Sequence, residues 1–404
     1  METKKFYITT PLYYVNDKPH IGHAYTTVLA DVLARYKKMF NENVFFLTGT
    51  DEHGQKVQEA ADKFNTSAKQ HVDKFHKNYI ELWNKLNINY DKFIRTTDRN
   101  HQNKVKTMLQ NLWDRDEIYL SEYEGLYSVS EERFITEKEY KEGNFRQVTK
   151  LKEKNYFFKM SKYKSKLIDH IKKNEKFILP KSRRNEILGF LNNDLNDLCI
   201  SRPKSRLSWG IELPFDKDYV TYVWFDALIN YISAIGYSDY EEKFNYYWPA
   251  NYHLMAKDIL TTHCVYWPTM LMSCNIPLPK TIFAHGWWLI DDTKMSKSLG
   301  NVIKPLDLAD KYGSDALRYY LMRNMVLGQD ASFTIDSFNE RYNSDLANDY
   351  GNLVNRIFIL ISKNFNDKIP KKNKLDLIDK NLIENVEKLR DDSIKNFKNL
   401  KIND

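Results

Sequence analysis

The chain has 404 residues, 42% of them hydrophobic and 14% aromatic, and 61 Lys+Arg against 54 Asp+Glu give a net charge of +7. The apolar content excludes a wholly disordered chain, and the length suits two or three domains of about 150 residues each. Three cysteines, Cys199, Cys264 and Cys274, exclude a disulfide framework and point to a reducing compartment.

No run reaches the roughly 20 apolar residues of a membrane-crossing helix. The first ten residues hold Lys4 and Lys5 but no long apolar stretch, so no signal peptide is expected. A soluble cytoplasmic protein is the default expectation. The small positive excess fits an anionic partner without demanding one.

Lys5–Tyr14, rich in aromatic and β-branched residues, reads as a buried strand. Val15–Lys18 supplies turn chemistry, and Pro19 suits the start of a helix. From His20 to about Phe40, Ile21, Tyr25, Val28, Leu29, Val32, Leu33 and Tyr36 recur at helical spacing. Val44–Leu47 follows as a short apolar strand. Strand, crossover helix and strand imply a parallel sheet covered by helices.

Asp62–Asp116 reads as mostly helical, and short strand-like runs begin near Ser121. The span Lys141–Glu186 holds 15 Lys+Arg and five Asp+Glu, a net +10. It belongs to what reads as an inserted module. Tyr219–Trp224 then resumes as strand and Asp226–Ile235 as helix. A second α/β set comprises Tyr252–Met255 as strand, Ile259–Met272 as helix and Thr281–His285 as strand. Helices dominate from Pro305 onward, with periodic stretches at Asp315–Met325 and Ser344–Asn364. The charged tail stops without a closing signal, as a truncated helical domain would. No internal repeat is evident.

Two short motifs carry chemistry. His20-Ile21-Gly22-His23 sits between a strand end and a helix start, where free N–H groups and the helix dipole favour a phosphate. Gly22 has no side chain, so a flat base could lie on the backbone. A capped helix with chance histidines would read the same. Lys294-Met295-Ser296-Lys297-Ser298 places two lysines on a small-residue loop. Such lysines stabilise charge that grows on a transferring phosphoryl or nucleotidyl group. An exposed lysine turn is the alternative.

Together the two motifs resemble the double signature of the class I aminoacyl-tRNA synthetases. The flanking segments Pro11-Leu12-Tyr13-Tyr14-Val15-Asn16, Gly49-Thr50-Asp51-Glu52-His53-Gly54, Val223-Trp224-Phe225-Asp226-Ala227 and Ala284-His285-Gly286-Trp287-Trp288 resemble the methionyl-tRNA synthetase family. Asp345-Leu346-Ala347-Asn348-Asp349 and Gly351-Asn352-Leu353 add to this, and the resemblance runs from residue 4 to about 360.

The resemblance implies a Rossmann-like α/β core split by a connective insertion and followed by an α-helical domain. The implied divisions are 1–115 and 219–292 for the two catalytic halves and 116–218 for the insertion. Residues 293–340 form the lysine loop and linker helices, and 341–404 the start of an incomplete anticodon-binding domain. It implies activation of methionine by ATP, with Mg²⁺, and transfer to the 3′ end of tRNA(Met) by a monomer.

Leu12, Tyr14, Trp224, Ala227, Leu228, Tyr231, Ile259, His263 and Trp267 would line the methionine pocket. Aromatic rings suit a polarizable thioether. Trp224 and Trp267 could equally be ordinary core. Asp51 would hold the α-amino group. Arg202 would neighbour Asp51, unless it forms a surface ion pair. His20 and His23 would meet the ATP phosphates and Gly22 the adenine, with Lys257 and Asp258 near the ribose.

Lys294 and Lys297 would stabilise the leaving pyrophosphate. Ala256 and Asp292 stand where the family often has glycine, implying altered backbone approach and a stiffer loop. Asn352 and Arg356 match anticodon-contacting positions, and exposed helix polarity would explain them too. Many relatives carry a zinc knuckle built from CxxC pairs. Here Tyr127-Ser128-Val129-Ser130 stands in the insertion and no cysteine precedes Cys199, so no zinc is expected. The basic insertion could hold an acceptor stem through its phosphates or be a solvated surface.

Two neighbouring readings remain on the sequence: another class I synthetase, against which the aromatic set and small insertion speak, and a decayed RNA-binding scaffold, against which His20, His23, Lys294 and Lys297 speak. An adenylating enzyme that does not charge tRNA is a third.

Overall fold

The chain opens with β1 (Lys5–Tyr14), α1 (Ile21–Met39) and β2 (Asn43–Asp51), then α2 (Gln55–Lys63), α3 (Ala68–Lys85), β3 (Lys92–Arg95) and α4 (Arg99–Asp114). Next come β4 (Ile118–Ser128), β5 (Arg133–Ile135), β6 (Val148–Phe158), β7 (Ile178–Leu179), β8 (Leu198–Cys199), β9 (Ser201–Pro203) and β10 (Tyr219–Thr221). The helices Val223–Leu228 and Asn230–Ser233 precede β11 (Tyr252–Ala256), and the helix Trp267–Ser273 precedes β12 (Ile282–His285). Last are β13 (Trp288–Ile290), β14 (Thr293–Lys294), β15 (Ala331–Ser332) and a run of helices. This computed structural model describes residues 4–128, 133–135, 140–141, 148–290, 293–294, 303–371 and 374–404.

Two compact units result. The first comprises Met1–Pro19, Ala30–Trp83 and Ile88–Ala284; the second comprises His20–Leu29, Asn84–Asn87 and His285–Asp404. The first is built on a six-stranded sheet of order β3-β2-β1-β11-β12-β7. Its registers β2–β3, β1–β2, β1–β11 and β12–β7 are parallel. A parallel sheet with helices on its faces has near-continuous apolar strands, which is how β1 and β2 read. Tyr7, Leu47, Phe158, Tyr231 and Trp267 belong to its buried core. A four-stranded antiparallel sheet of order β5-β4-β6-β8 belongs to the same unit. In the second unit β13 pairs antiparallel with β14 and parallel with β15.

Pro11 shapes the centre of the main sheet. It has no N–H for the ladder, and the register between β1 and β2 shifts between Thr9 and Leu12. Beyond the shift, Leu12 lies opposite Gly49, Tyr13 opposite Thr50 and Tyr14 opposite Asp51.

The expected parallel core and helical region are present. Several elements differ from the sequence reading. Trp224 lies in the helix Val223–Leu228 rather than in a strand, because β10 ends at Thr221 and pairs antiparallel with β9. The helical reading of Asp62–Asp116 is interrupted by β3, four residues at the sheet edge. The single helix expected over Ile259–Met272 is a 3₁₀ turn, a π-helical turn at Thr262–Tyr266 and an α-helix from Trp267. Pro268, at the start of that last helix, cannot donate a backbone N–H to the turn before it. Helix α1 begins at Ile21, two residues after Pro19.

Residues 178–179 of the expected insertion form β7, an edge strand of the main sheet beside β12. Tyr127, first of the Tyr-Ser-Val-Ser segment, lies beneath two guanidiniums, Arg202 at 5.3 Å and Arg206 at 4.6 Å. Val129 and Ser130 lie outside the described residues. In the second unit, Leu353, Ile357 and Leu360 of the helix Asn352–Phe365 are exposed.

Gly49 is fixed by close approach of backbone: a Cβ there would lie 1.9 Å from the Ile94 carbonyl oxygen. Gly189, in the exposed face of the helix Lys181–Asn192, meets nothing within 4 Å. Gly49→Ala is expected to cost about 3 kcal/mol or more of unfolding free energy in denaturant titration, by forcing β2 and β3 apart. Gly189→Ala should raise it by about 0.5–1 kcal/mol through helix propensity.

Candidate active site

From β1 the main sheet proceeds to β2 and β3 on one side and to β11 and β12 on the other. The carboxyl ends of β1 and β11 therefore flank the point where strand order reverses, where open parallel sheets bind ligands. Leu12, Tyr14 and Asp51 end β1 and β2, and Lys257, Asp258 and Ile259 follow directly on β11. Tyr14 is held from behind by α3, whose Tyr79 hydroxyl donates to the Tyr14 carbonyl at 3.1 Å. In the next residue, the Val15 carbonyl accepts from His71 Nε2 at 3.0 Å.

The expected aromatic set is assembled in the first unit. Tyr231, His263 and Trp267 are buried, and Trp224, Leu12, Tyr14 and Ile259 pack against the same core. The Trp224 ring meets His263 edge-on at 6.1 Å, and Tyr231 lies 5.8 Å from Trp267. Ala227 and Leu228 are buried on the same short helix as Trp224, at helical spacing from it.

Hydrogen bonds fix the protons of this set. His263 Nδ1 lies 2.9 Å from the Ile259 carbonyl, which can only accept, so Nδ1 carries the proton. Nε2 is then an acceptor, and the Tyr231 hydroxyl at 2.8 Å donates to it. Burial lowers the His263 value to about 4, keeping the ring neutral. His253, which the sequence reading missed, is neutral for the same reason: burial drives its value well below the usual range. Trp267 Nε1–H donates to His253 Nε2 at 3.3 Å, leaving Nδ1–H for the Thr9 hydroxyl at 2.8 Å. Tyr231 stacks on His253 at 4.2 Å. The result is a buried aromatic cluster with neither histidine ionised.

Other residues of this unit also escaped the sequence reading. Glu52 is fully buried and accepts from Arg95 Nε at 2.7 Å and from the Thr50 hydroxyl at 2.8 Å. Asp226, also fully buried, accepts from His53 Nδ1 at 2.6 Å and His101 Nε2 at 2.7 Å. Glu52, His53 and Asp226 stand inside the motifs quoted above. Thr50 apart, their partners lie far away in sequence, and no local pattern announces the pairing. Arg202 is buried as well: its Nη1 donates to the Ser201 carbonyl at 2.7 Å and lies 3.4 Å from Cys199 Sγ, and the guanidinium stacks on Tyr222 at 4.7 Å.

The histidine motif belongs to the second unit. His20 immediately precedes α1 and acts as its cap. His20 Nδ1 accepts from the Gly22 N–H at 3.1 Å, and His23 Nδ1 accepts from the His20 N–H at 3.2 Å. This is the reciprocal arrangement of a capping box, made with imidazoles. It assigns the remaining ring proton of each to Nε2, a donor suited to a phosphate oxygen. The rings stack at 3.8 Å. Gly22 is needed by the cap itself, since a Cβ there would lie 2.9 Å from His20 Cε1. Capping and phosphate binding, alternatives on sequence, are compatible in one geometry.

The Lys294 backbone lies in β14, opposite Leu289 of β13. Lys297 and Asp292 lie outside the described residues. Asn352 and Arg356 are exposed at the start of the helix Asn352–Phe365. Among the described residues no group of three or more His, Cys, Asp or Glu side chains could hold a metal ion.

In the first unit an aromatic cluster packs beside the point where the strand order of a parallel α/β sheet reverses, and in the second a helix start carries two imidazole caps. Residues 6–150 and 142–358 match the family model of the class I tRNA synthetases (M). The chain is 48% identical to a methionine–tRNA ligase of Halalkalibacterium halodurans over 386 residues, covering 91% of this chain and 58% of that protein. It is also 48% identical to that of Clostridium tetani over 408 residues, covering 100% of this chain and 63% of that one. The structure superposes with a TM-score of 0.93 and 39% identity on Mycobacterium tuberculosis methionyl-tRNA synthetase in complex with methionyl-adenylate, covering 98% of this chain and 79% of the other. The chain belongs to the class I tRNA synthetases, in the methionyl-tRNA synthetase family. It spans about three fifths of the length of these curated relatives.

The neutral His263 makes stability depend on pH. Its folded-state value is depressed from 6.5 to about 4, so as pH falls through 6.5 the unfolded chain takes up a proton that folded His263 refuses. The contribution is complete above about pH 6.5 and is lost as pH falls to about 4, by about 3 kcal/mol. The unfolding free energy of the native chain minus that of His263→Gln should therefore shrink across that window. A difference that stays flat contradicts the neutral assignment.

Proposed function

We propose that this chain activates methionine with ATP and passes the methionyl group to tRNA(Met). The observation that carries the reading is the uncharged aromatic set of Trp224, Tyr231, His263 and Trp267 in a chain of this family. A thioether side chain is apolar and polarizable, and gains by packing on such rings. Leu12, Tyr14, Ala227, Leu228 and Ile259 complete the lining. The Asp51 carboxylate receives the substrate's ammonium group in a charge-assisted hydrogen bond.

In the first step a methionine carboxylate oxygen attacks the α-phosphorus of ATP. The new P–O bond forms as the bond to pyrophosphate breaks. His20 and His23 donate to the phosphates through Nε2, Gly22 lies under the adenine, and Lys257 and Asp258 hold the ribose. Lys294 and Lys297 stabilise the charge that develops on the leaving pyrophosphate. In the second step a terminal ribose hydroxyl of the tRNA attacks the activated carbonyl and AMP leaves. No protein nucleophile is involved, and the acceleration comes from positioning and charge stabilisation.

Magnesium enters as part of the nucleotide substrate. Among the described residues no cluster of His, Cys, Asp or Glu would hold it, and no step is assigned to it. No zinc is assigned to the insertion, whose Tyr127-Ser128 segment lacks thiolates. Asn352 and Arg356 read anticodon bases, an assignment supported by their exposure on a helix start. Among the described residues no helix is long and apolar enough to cross a membrane, and we place the protein in the cytoplasm.

The test is amino-acid-dependent ATP–pyrophosphate exchange with methionine beside leucine, isoleucine, valine and cysteine. Exchange with methionine alone is expected, and charging of tRNA(Met) follows as a second assay. Lys297→Ala should lower kcat about 10²–10³-fold with little change in methionine KM. Exchange driven equally by another amino acid, or by none, overturns the reading.

A further inference from the structure

We infer that Asp226 is a positioning residue for amino-acid binding: by accepting from His53 and His101 at once, it locks the helix carrying Trp224 and Ala227 to the strand end carrying Asp51. This rests on the functional reading above and adds residues to it.

Three segments distant in sequence meet at one carboxylate. His53 follows Asp51 by two residues at the exit of β2 and reaches Asp226 Oδ2 through Nδ1 at 2.6 Å. His101, in the first turn of α4, reaches Asp226 Oδ1 through Nε2 at 2.7 Å. A carboxylate only accepts, so both facing ring nitrogens carry protons. The other side of His101 lies 2.8 Å from the Ser233 hydroxyl. All three charged or titratable partners are buried: His53 is 4% exposed, His101 1% and Asp226 0%. A buried carboxylate is costly unless its oxygens are matched, and here each oxygen has an imidazole donor. Burial alone would push the Asp226 carboxyl up, yet His53 and His101 outweigh it and hold the group below its usual range.

The helix so held is only Val223–Leu228, six residues, too short to keep its place by its own hydrogen bonds. Trp224, Ala227 and Leu228 are spaced to share one face of it, which leaves Asp226 to anchor the helix from another. The strand exit is braced in turn. Glu52 is bonded to Arg95 and Thr50, and Trp209 Nε1 donates to the Glu52 carbonyl at 2.6 Å while packing 5.3 Å from the His53 ring. The distance from Asp51 to the aromatic wall is what measures an amino acid from its ammonium group to its side-chain tip. The shared carboxylate fixes that distance.

The two histidines use different nitrogens, which gives a crossed test. An Asn amide nitrogen falls near the place of imidazole Nδ1, and a Gln amide nitrogen near that of Nε2. His53→Asn and His101→Gln keep the donor to Asp226, whereas His53→Gln and His101→Asn lose it. In pyrophosphate exchange, the two bond-losing variants should raise methionine KM about tenfold or more, and the two bond-keeping variants should stay within about twofold, with ATP KM unmoved in all four. A size or stability effect would rank Asn and Gln the same way at both positions. The same ranking, a matching rise in ATP KM, or an unchanged methionine KM in folded variants overturns the inference. Should bond-losing variants fail to fold, Ser233→Ala, which loosens His101 from behind, must raise methionine KM alone; no rise there overturns it equally. Native protein without methionine-dependent exchange would instead remove the functional reading itself.

Discussion

A carboxylate sealed inside a protein must find donors, and that requirement shapes the first unit. Asp226 and Glu52 have no exposed surface; Asp226 is matched by two imidazoles far away in the chain, and Glu52 by distant Arg95 together with its near neighbour Thr50. Matching them joins the exit of β2, the first turn of α4 and the short helix Val223–Leu228 into one rigid frame. The apolar core could tolerate small shifts among these segments, because packing is not directional. Two hydrogen bonds to the two oxygens of one carboxylate are directional, and they hold the frame in register.

The aromatic lining follows the opposite rule. Its two histidines are stripped of charge by burial, and each donates its one proton to an acceptor outside the ring set: His263 to the Ile259 carbonyl and His253 to the Thr9 hydroxyl. Charge is thus excluded from this ring set. In the second unit the imidazoles of His20 and His23 satisfy the orphan N–H groups of α1 with one nitrogen and carry a proton on the other. One pair of side chains both ends the strand-to-helix turn and presents donors for an anion.

Much of this was legible in the sequence. Lys5–Tyr14 read as a buried strand because a parallel strand covered on both faces is apolar throughout, and β1 has those bounds. The histidine motif stood out because helix starts need caps and phosphates need donors. β3 escaped because four residues at a sheet edge carry no period. Trp224 reads as strand because an aromatic, β-branched run looks the same in a strand and in a six-residue helix pinned by tertiary contacts. The partners of Asp226 and Glu52 escaped for a different reason. A hydrogen bond between residues 173 or 125 positions apart leaves no trace in local spacing.

Methionine is proposed to bind to residues of the first unit. Calorimetric titration of methionine into the chain without ATP, repeated at several temperatures and with leucine as the comparison, tests it most directly. The account predicts saturable one-to-one binding of methionine with a negative heat-capacity change, from apolar surface buried against Trp224, Tyr231 and Trp267, and much weaker binding of leucine. Equal binding of both amino acids, or none of methionine, would contradict it.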